Sequence, residues 1–185
     1  MILGLDTGTR TLTEAEHLLH DLVKALGLGE DTVACTHFVR TGDGPPHVAC
    51  SLTVPHLPGP AALPDGAGTA SGAGRTGPED LAEGAALAAI AHATGTGGRL
   101  VLFPGHGALT GTLGVAEIMA RSGIERVVVL AHTGDPAPDT PVVTRDFVRP
   151  QWCDGKIVLL TMPAADGRLM PAEVPDPTPC CADHG

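Results

Sequence analysis

Apolar positions fall in short clusters along the chain, and their spacing predicts helices alternating with strands. In residues 13–26, Ala15, Leu18, Leu19, Leu22, Val23 and Leu26 repeat at the interval that gathers them on one helical face. Thr13 and Glu16 have the spacing of a capping box at its start, and Gly27 suits its end. DTVACT (31–36) reads as a buried strand, and HVACSLTV (47–54) as another short one. LPGPAALPDGAGTASGAGRTG (57–77) has little to bury and reads as a flexible Gly/Pro/Ala-rich insertion or lid. Pro78 suits a first helical position, and the Ala-rich helix it opens (78–93) has a face small enough to lie close to a sheet. Residues 99–103 and 126–131 read as strands around a helix at 112–122 ended by Gly123, and 155–162 as the last strand. Strands that alternate with helices and are apolar on both faces predict an α/β fold, a three-layer domain with a mainly parallel sheet. Residues 1–185 form one domain in this reading, with a loose tail at 175–185.

Composition narrows the partners. Aromatic residues make up 2% of the chain, so Leu, Val, Ile and Ala must build the core. A formal net charge of −10 argues against nucleic acid and anionic membranes as partners, since both select clustered Lys and Arg. No secretory segment opens the chain and no apolar run approaches the ~20 residues of a membrane span, so a cytoplasmic protein with a small-molecule substrate is expected. Five irregularly spaced Cys predict reduced thiols, with Cys35 and Cys50 buried and Cys153 exposed.

In an open parallel sheet, ligands collect at the carboxyl ends of the strands. Three loops leave such ends in this reading, and each delivers a histidine: His37, His106 and His132. Gly105, His106, Gly107, Ala108 and Leu109 lie between a predicted strand and a predicted helix, where free N–H groups favour a phosphate. Thr36 and His37 end the first loop's strand, and Arg40 just beyond suits a phosphate or carboxylate.

The stretch GHGALTGTLGVAEIMARSGIERVVVLAHT resembles the cofactor motif of thiamine-diphosphate enzymes, a Gly-Asp-Gly followed by an Asn-Asn pair that ends a strand. Here Gly105-His106-Gly107 stands at the first position, and His132-Thr133 follows at the matching spacing. Other segments, in order, resemble the pyrophosphate-binding half of phosphonopyruvate and sulfopyruvate decarboxylases: LTEAEHLLHDLVKAL, DTVACTHFVRT, EDLAEGAALAAIAHATGTGGRLVLFPGHGAL and GKIVLLTMPAADGRLMPAEVPDPTP. The resemblance implies a thiamine-diphosphate-binding-like fold. It implies a divergent β-type subunit of a thiamine-diphosphate-dependent 2-oxoacid decarboxylase, a lyase whose cofactor serves as the electron sink. It also implies a partner, either a separate pyrimidine-binding subunit or further copies in a homo-oligomer. Thr36, His37, Arg40, Gly105, His106, Gly107, Ala108, Leu109, His132 and Thr133 are the cofactor-binding residues it points to.

The departures lie at the metal positions. Mg²⁺ takes hard oxygen ligands, and His106 and His132 stand where the family has Asp and Asn. Imidazole suits Zn, Fe, Ni or Cu, so an alternative is an enzyme in which His106, His132 and His37 hold a transition metal. In the tail, Cys181 and His184, beside Cys180, are two further metal-ligand candidates. The remaining alternative is a non-catalytic regulatory or binding subunit.

Overall fold

The computed structural model describes residues 1–72 and 74–175. In chain order its elements are β1 (Ile2–Thr9), α1 (Leu12–Ala25), β2 (Ala34–Val39), β3 (His47–Thr53), β4 (Gly68–Ser71), β5 (Gly74–Thr76), α2 (Glu79–Thr94), β6 (Arg99–Leu102), β7 (Thr112–Gly114), α3 (Val115–Arg121), β8 (Arg126–Val129), β9 (Pro141–Val143), β10 (Gln151–Cys153), β11 (Lys156–Pro163) and β12 (Leu169–Pro171). The strands form one open sheet in the order β5-β4-β1-β3-β2-β6-β10-β11-β12-β9-β7, with β8 paired to β11.

The mainly parallel sheet expected from the sequence, and with it the thiamine-diphosphate-binding-like fold, is corrected. Only β8–β11 and β9–β12 are parallel among the described pairs, and the rest of the sheet is antiparallel. β1 and β2 do run in the same direction around α1, but β3 lies between them and is antiparallel to both. The alternation that would reveal an antiparallel strand is missing because helices cover both faces here. Residues 48–52 of β3, for instance, are all buried.

Those faces are unlike. Leu3 and Leu5 of β1, and Val48, Cys50 and Leu52 of β3, pack with Ala15, Leu19 and Leu22 of α1. On the other face, Ala49 meets Ala88 and Ala70 meets Ala85 and Ala86 of α2. Gly4 is required here, since a Cβ on it would lie 1.9 Å from the Ala85 carbonyl oxygen.

Element bounds also differ from the pattern. α1 is capped by Thr11 rather than Thr13: the Glu14 N–H donates to Thr11 Oγ1 (3.3 Å) and the Thr11 hydroxyl donates to Glu14 (2.7 Å). Residues 57–77, read as a flexible insertion, contain β4 and β5, and β4 pairs with β1. The expected helix at 112–122 is β7 followed by the seven-residue α3.

The second half of the sheet has its own core, including Phe103, Leu109, Ile118, Ile124, Val142 and Leu159. The halves meet where Gln151 of β10 stands opposite Arg99 of β6. The Leu100 N–H donates to the Pro150 carbonyl (2.8 Å) and the Trp152 N–H to the Gly98 carbonyl (3.0 Å). Among the described residues no helix is long and apolar enough to cross a membrane.

Candidate functional site

Antiparallel pairing separates His37 from the other two histidines, whereas His106 and His132 follow β6 and β8, which run in the same direction with β10 and β11 between them. β2 and β6 run in opposite directions, so His37 near the end of β2 and His106 after β6 lie toward opposite ends of these strands. His106 donates from Nδ1 to the Phe103 carbonyl (2.9 Å) in a short 3-10 turn, and His132 donates from Nδ1 to the Leu130 carbonyl (3.1 Å) in an exposed turn beside Thr133. Among the described residues no three His, Cys, Asp or Glu side chains come together as a metal-binding group. Cys180, Cys181 and His184 lie outside the described residues.

The glycine loop does not fit a magnesium-bound diphosphate. A Cβ on Gly105 would sit 2.0 Å from the Arg121 carbonyl oxygen, so this glycine packs against the end of α3 and faces a partial negative charge. His106, Gly107 and Ala108 are exposed, whereas Leu109 is a core residue. β7 intervenes before α3, so the loop opens no helix. The first N–H groups of α3 are already answered within the fold: Val115 donates to the Thr140 carbonyl (3.1 Å) and Ala116 to the Pro138 carbonyl (2.9 Å), while the N-cap Gly114 N–H donates to Glu117 (3.3 Å).

A different place gathers chemistry. Beyond the pairing of Thr36 with Arg99, β2 continues to Val39 with no described β6 residue opposite it, leaving a cleft at the junction of the half-sheets. The cleft has a volume of about 730 Å³, and Thr36, His37, Arg40, Arg99, Arg149 and Glu173 are among its lining residues. Thr36, His37 and Arg40 are thus brought together as the sequence suggested, but away from Gly105, His106, Gly107, Ala108, Leu109, His132 and Thr133.

Two arginines and two carboxylates form one network at this cleft. Arg149 Nη2 and Arg99 Nη2 each lie 2.7 Å from one oxygen of Glu16 on α1. Arg99 also donates from Nε to both oxygens of Glu173 (2.8 and 2.7 Å) and pairs with it through Nη2. Burial pushes the Glu16 pKa up, but Arg149 and Arg99 outweigh it and hold the carboxyl below its ordinary value. Burial likewise acts against the charged Arg99, and Glu173 and Glu16 more than compensate. Arg149 stacks over Phe147, 4.3 Å from the ring centre. Even so, Arg99 Nη1 and Arg149 Nε are enclosed with no partner among the described residues. A second cavity of about 770 Å³ lies on the α1 side and shares Arg99, Ala172 and Glu173 with the first. Glu173 is part of the wall between them.

Behind the cleft, on the α2 face, three buried side chains are linked. His37 Nε2 is 2.7 Å from Ser51 Oγ, which is 2.9 Å from His92 Nδ1. Burial lowers both imidazoles to about 4, His37 also through repulsion from His92. Cys35 is beside them, its thiol pushed up to about 12 by burial, so it is held as an unreactive thiol. Farther along β3, His47 Nε2 is 2.7 Å from Asp6, a fully buried carboxylate that also accepts from the Gly8 N–H (2.8 Å).

No family model, curated protein or solved structure matches this chain.

Sequence reasoning missed Glu16, Arg99, Arg149 and Glu173 because they come from α1, β6, the approach to β10 and the segment after β12. Glu16 has the spacing of a capping partner to Thr13, but the cap is Thr11 with Glu14, and Glu16 pairs with the two arginines instead. No ligand-like spacing in the sequence marks His92, and only the packing of α2 on β3 brings it to Ser51.

Proposed function

We propose that this protein binds a small anionic molecule, a carboxylate or phosphate, in the cleft at the junction of the two half-sheets. The observation that carries the reading is the fixed pair Arg99 and Arg149, each with an enclosed N–H group that no described residue accepts. A buried donor left unpaired costs about 1–3 kcal/mol, and an anion's oxygens remove that cost. Glu173 is the carboxylate such an anion displaces, since its side chain is 38% exposed against 16% for Glu16. Arg40 at the rim adds a third guanidinium against the two carboxylates, a local positive field on a chain of net charge −10. Displacement of Glu173 also joins the two cavities, giving the rest of the ligand room toward α1.

Isothermal titration calorimetry with inorganic phosphate, pyrophosphate, citrate and thiamine diphosphate tests this. At least one anion is expected to bind with one-to-one stoichiometry and to weaken in R40Q. E173Q is expected to bind about tenfold or more tightly, because a charge-assisted contact worth about 1.5–3 kcal/mol is no longer contested. A panel that binds neither wild type nor a folded E173Q overturns the proposal. Thiamine diphosphate belongs in the panel because a decarboxylase subunit of the resembled kind has to hold that molecule.

A further inference from the structure

We infer that His37, Ser51 and His92 form a proton relay running from the cleft into the α2 face of the sheet, with His37 as its entrance. The relay's use on a bound ligand rests on the cleft being a ligand site, but the relay itself stands on separate geometry.

His37 lines the cleft, and its Nε2 contacts the fully buried Ser51 hydroxyl, which contacts His92 Nδ1. A hydroxyl carries one proton, so between two imidazoles it donates to one and accepts from the other. Only two neutral arrangements satisfy it. In one, His37 donates from Nε2 to Ser51, Ser51 donates to His92 Nδ1, and both rings carry their proton on Nε2. In the other, every donor and acceptor is reversed, and both rings carry it on Nδ1. The tautomers are therefore locked together through Ser51.

The chain is open at both ends. His37 Nδ1 and His92 Nε2 have no hydrogen-bond partner among the described residues, whereas His106 and His132 each anchor a ring nitrogen on a carbonyl. At the entrance, the backbone passes over the His37 ring at Gly98, with φ +119°; a Cβ there would fall 2.5 Å from Cε1 and 3.1 Å from Nδ1. At the far end, His92 lies against Trp152, with ring centres 6.0 Å apart.

A proton reaching His37 Nδ1 from the cleft is balanced as follows. His37 passes its Nε2 proton to Ser51 Oγ, and Ser51 passes its own proton to His92 Nδ1. His37 ends neutral with the proton on Nδ1, and the positive charge rests on His92. No oxidant or further reactant is needed. The charged groups facing the entrance are Arg40, Arg99, Arg149 and Glu173 across the cleft, with the Cys35 thiol beside it on β2.

Imidazole ¹⁵N shifts in the whole protein, without ligand, test the relay. At neutral pH both rings are expected to show the same tautomer. On acidification their shifts are expected to move together, to separate in S51A, and to move together again in S51T, which keeps the hydroxyl. Opposite tautomers in the wild type, or separate midpoints there, overturn the relay, and neither reading requires a variant to fold. A coupled pair in a protein that binds no anion leaves the relay in place and removes the proposed ligand.

Discussion

The two faces of the first half-sheet solve the same packing problem in opposite ways. Toward α1, β1 and β3 present Leu3, Leu5, Val48 and Leu52 to Leu19 and Leu22, and stability comes from apolar volume. Toward α2, they present Gly4, Ala49 and Ser51 to an alanine-rich helix, and the helix comes close enough to enclose Asp6, His37, Ser51 and His92. Close approach excludes water, so those polar groups must satisfy one another. The large-residue face is a core; the small-residue face is where an internal polar network forms and reaches the cleft.

The comparison is broken most strongly by reversing what each face tolerates. L19A empties a fully buried site on the α1 face and is expected to cost about 2–5 kcal/mol in urea unfolding. A next effect belongs to the α2 face alone. His37 and His92 have folded pKa values lowered from 6.5 to about 4, so the unfolded chain binds more protons between those values. Their contribution is fully present above pH 6.5 and is lost as pH falls toward 4, with a loss on the order of 3 kcal/mol for each histidine. Chemical unfolding across that range is expected to show this slope, and H37Q or H92Q to flatten it. G4A adds one methyl group on the α2 face, against a backbone oxygen that no side-chain rotation can move, and is expected to cost about 1–3 kcal/mol. The smallest expected effect is T11A, which removes the α1 cap on an exposed turn and costs about 1 kcal/mol in the same assay. If G4A proved neutral while L19A was severe, the close contact on the α2 face would not be what organises that side.

Sequence patterning located α1, α2, β3, β6 and β11 well because each carries a sustained apolar run or stripe. It missed β1, where Gly4 and Asp6 interrupt the run, although both are there for the close approach of α2. It read β4 as loop for the same reason: a Cβ on Gly68 would meet the α2 backbone at 2.1 Å, so a buried strand here needs glycine and looks unstructured in composition. Strand direction was illegible because both faces are covered, and direction decided the site. Thr36, His37 and Arg40 were legible as neighbours along one strand and its loop. Arg99, Arg149, Glu16, Glu173, Ser51 and His92 join them through pairings that no local spacing encodes.

The most direct test of the cleft is a two-dimensional ¹H–¹⁵N spectrum of the protein titrated with pyrophosphate. Saturable amide shifts are expected, concentrated at residues 36–40, 97–99, 149–151 and 172–173, around the arginine pair. Shifts confined to residues 105–109, or none that saturate, would contradict the cleft as the binding site.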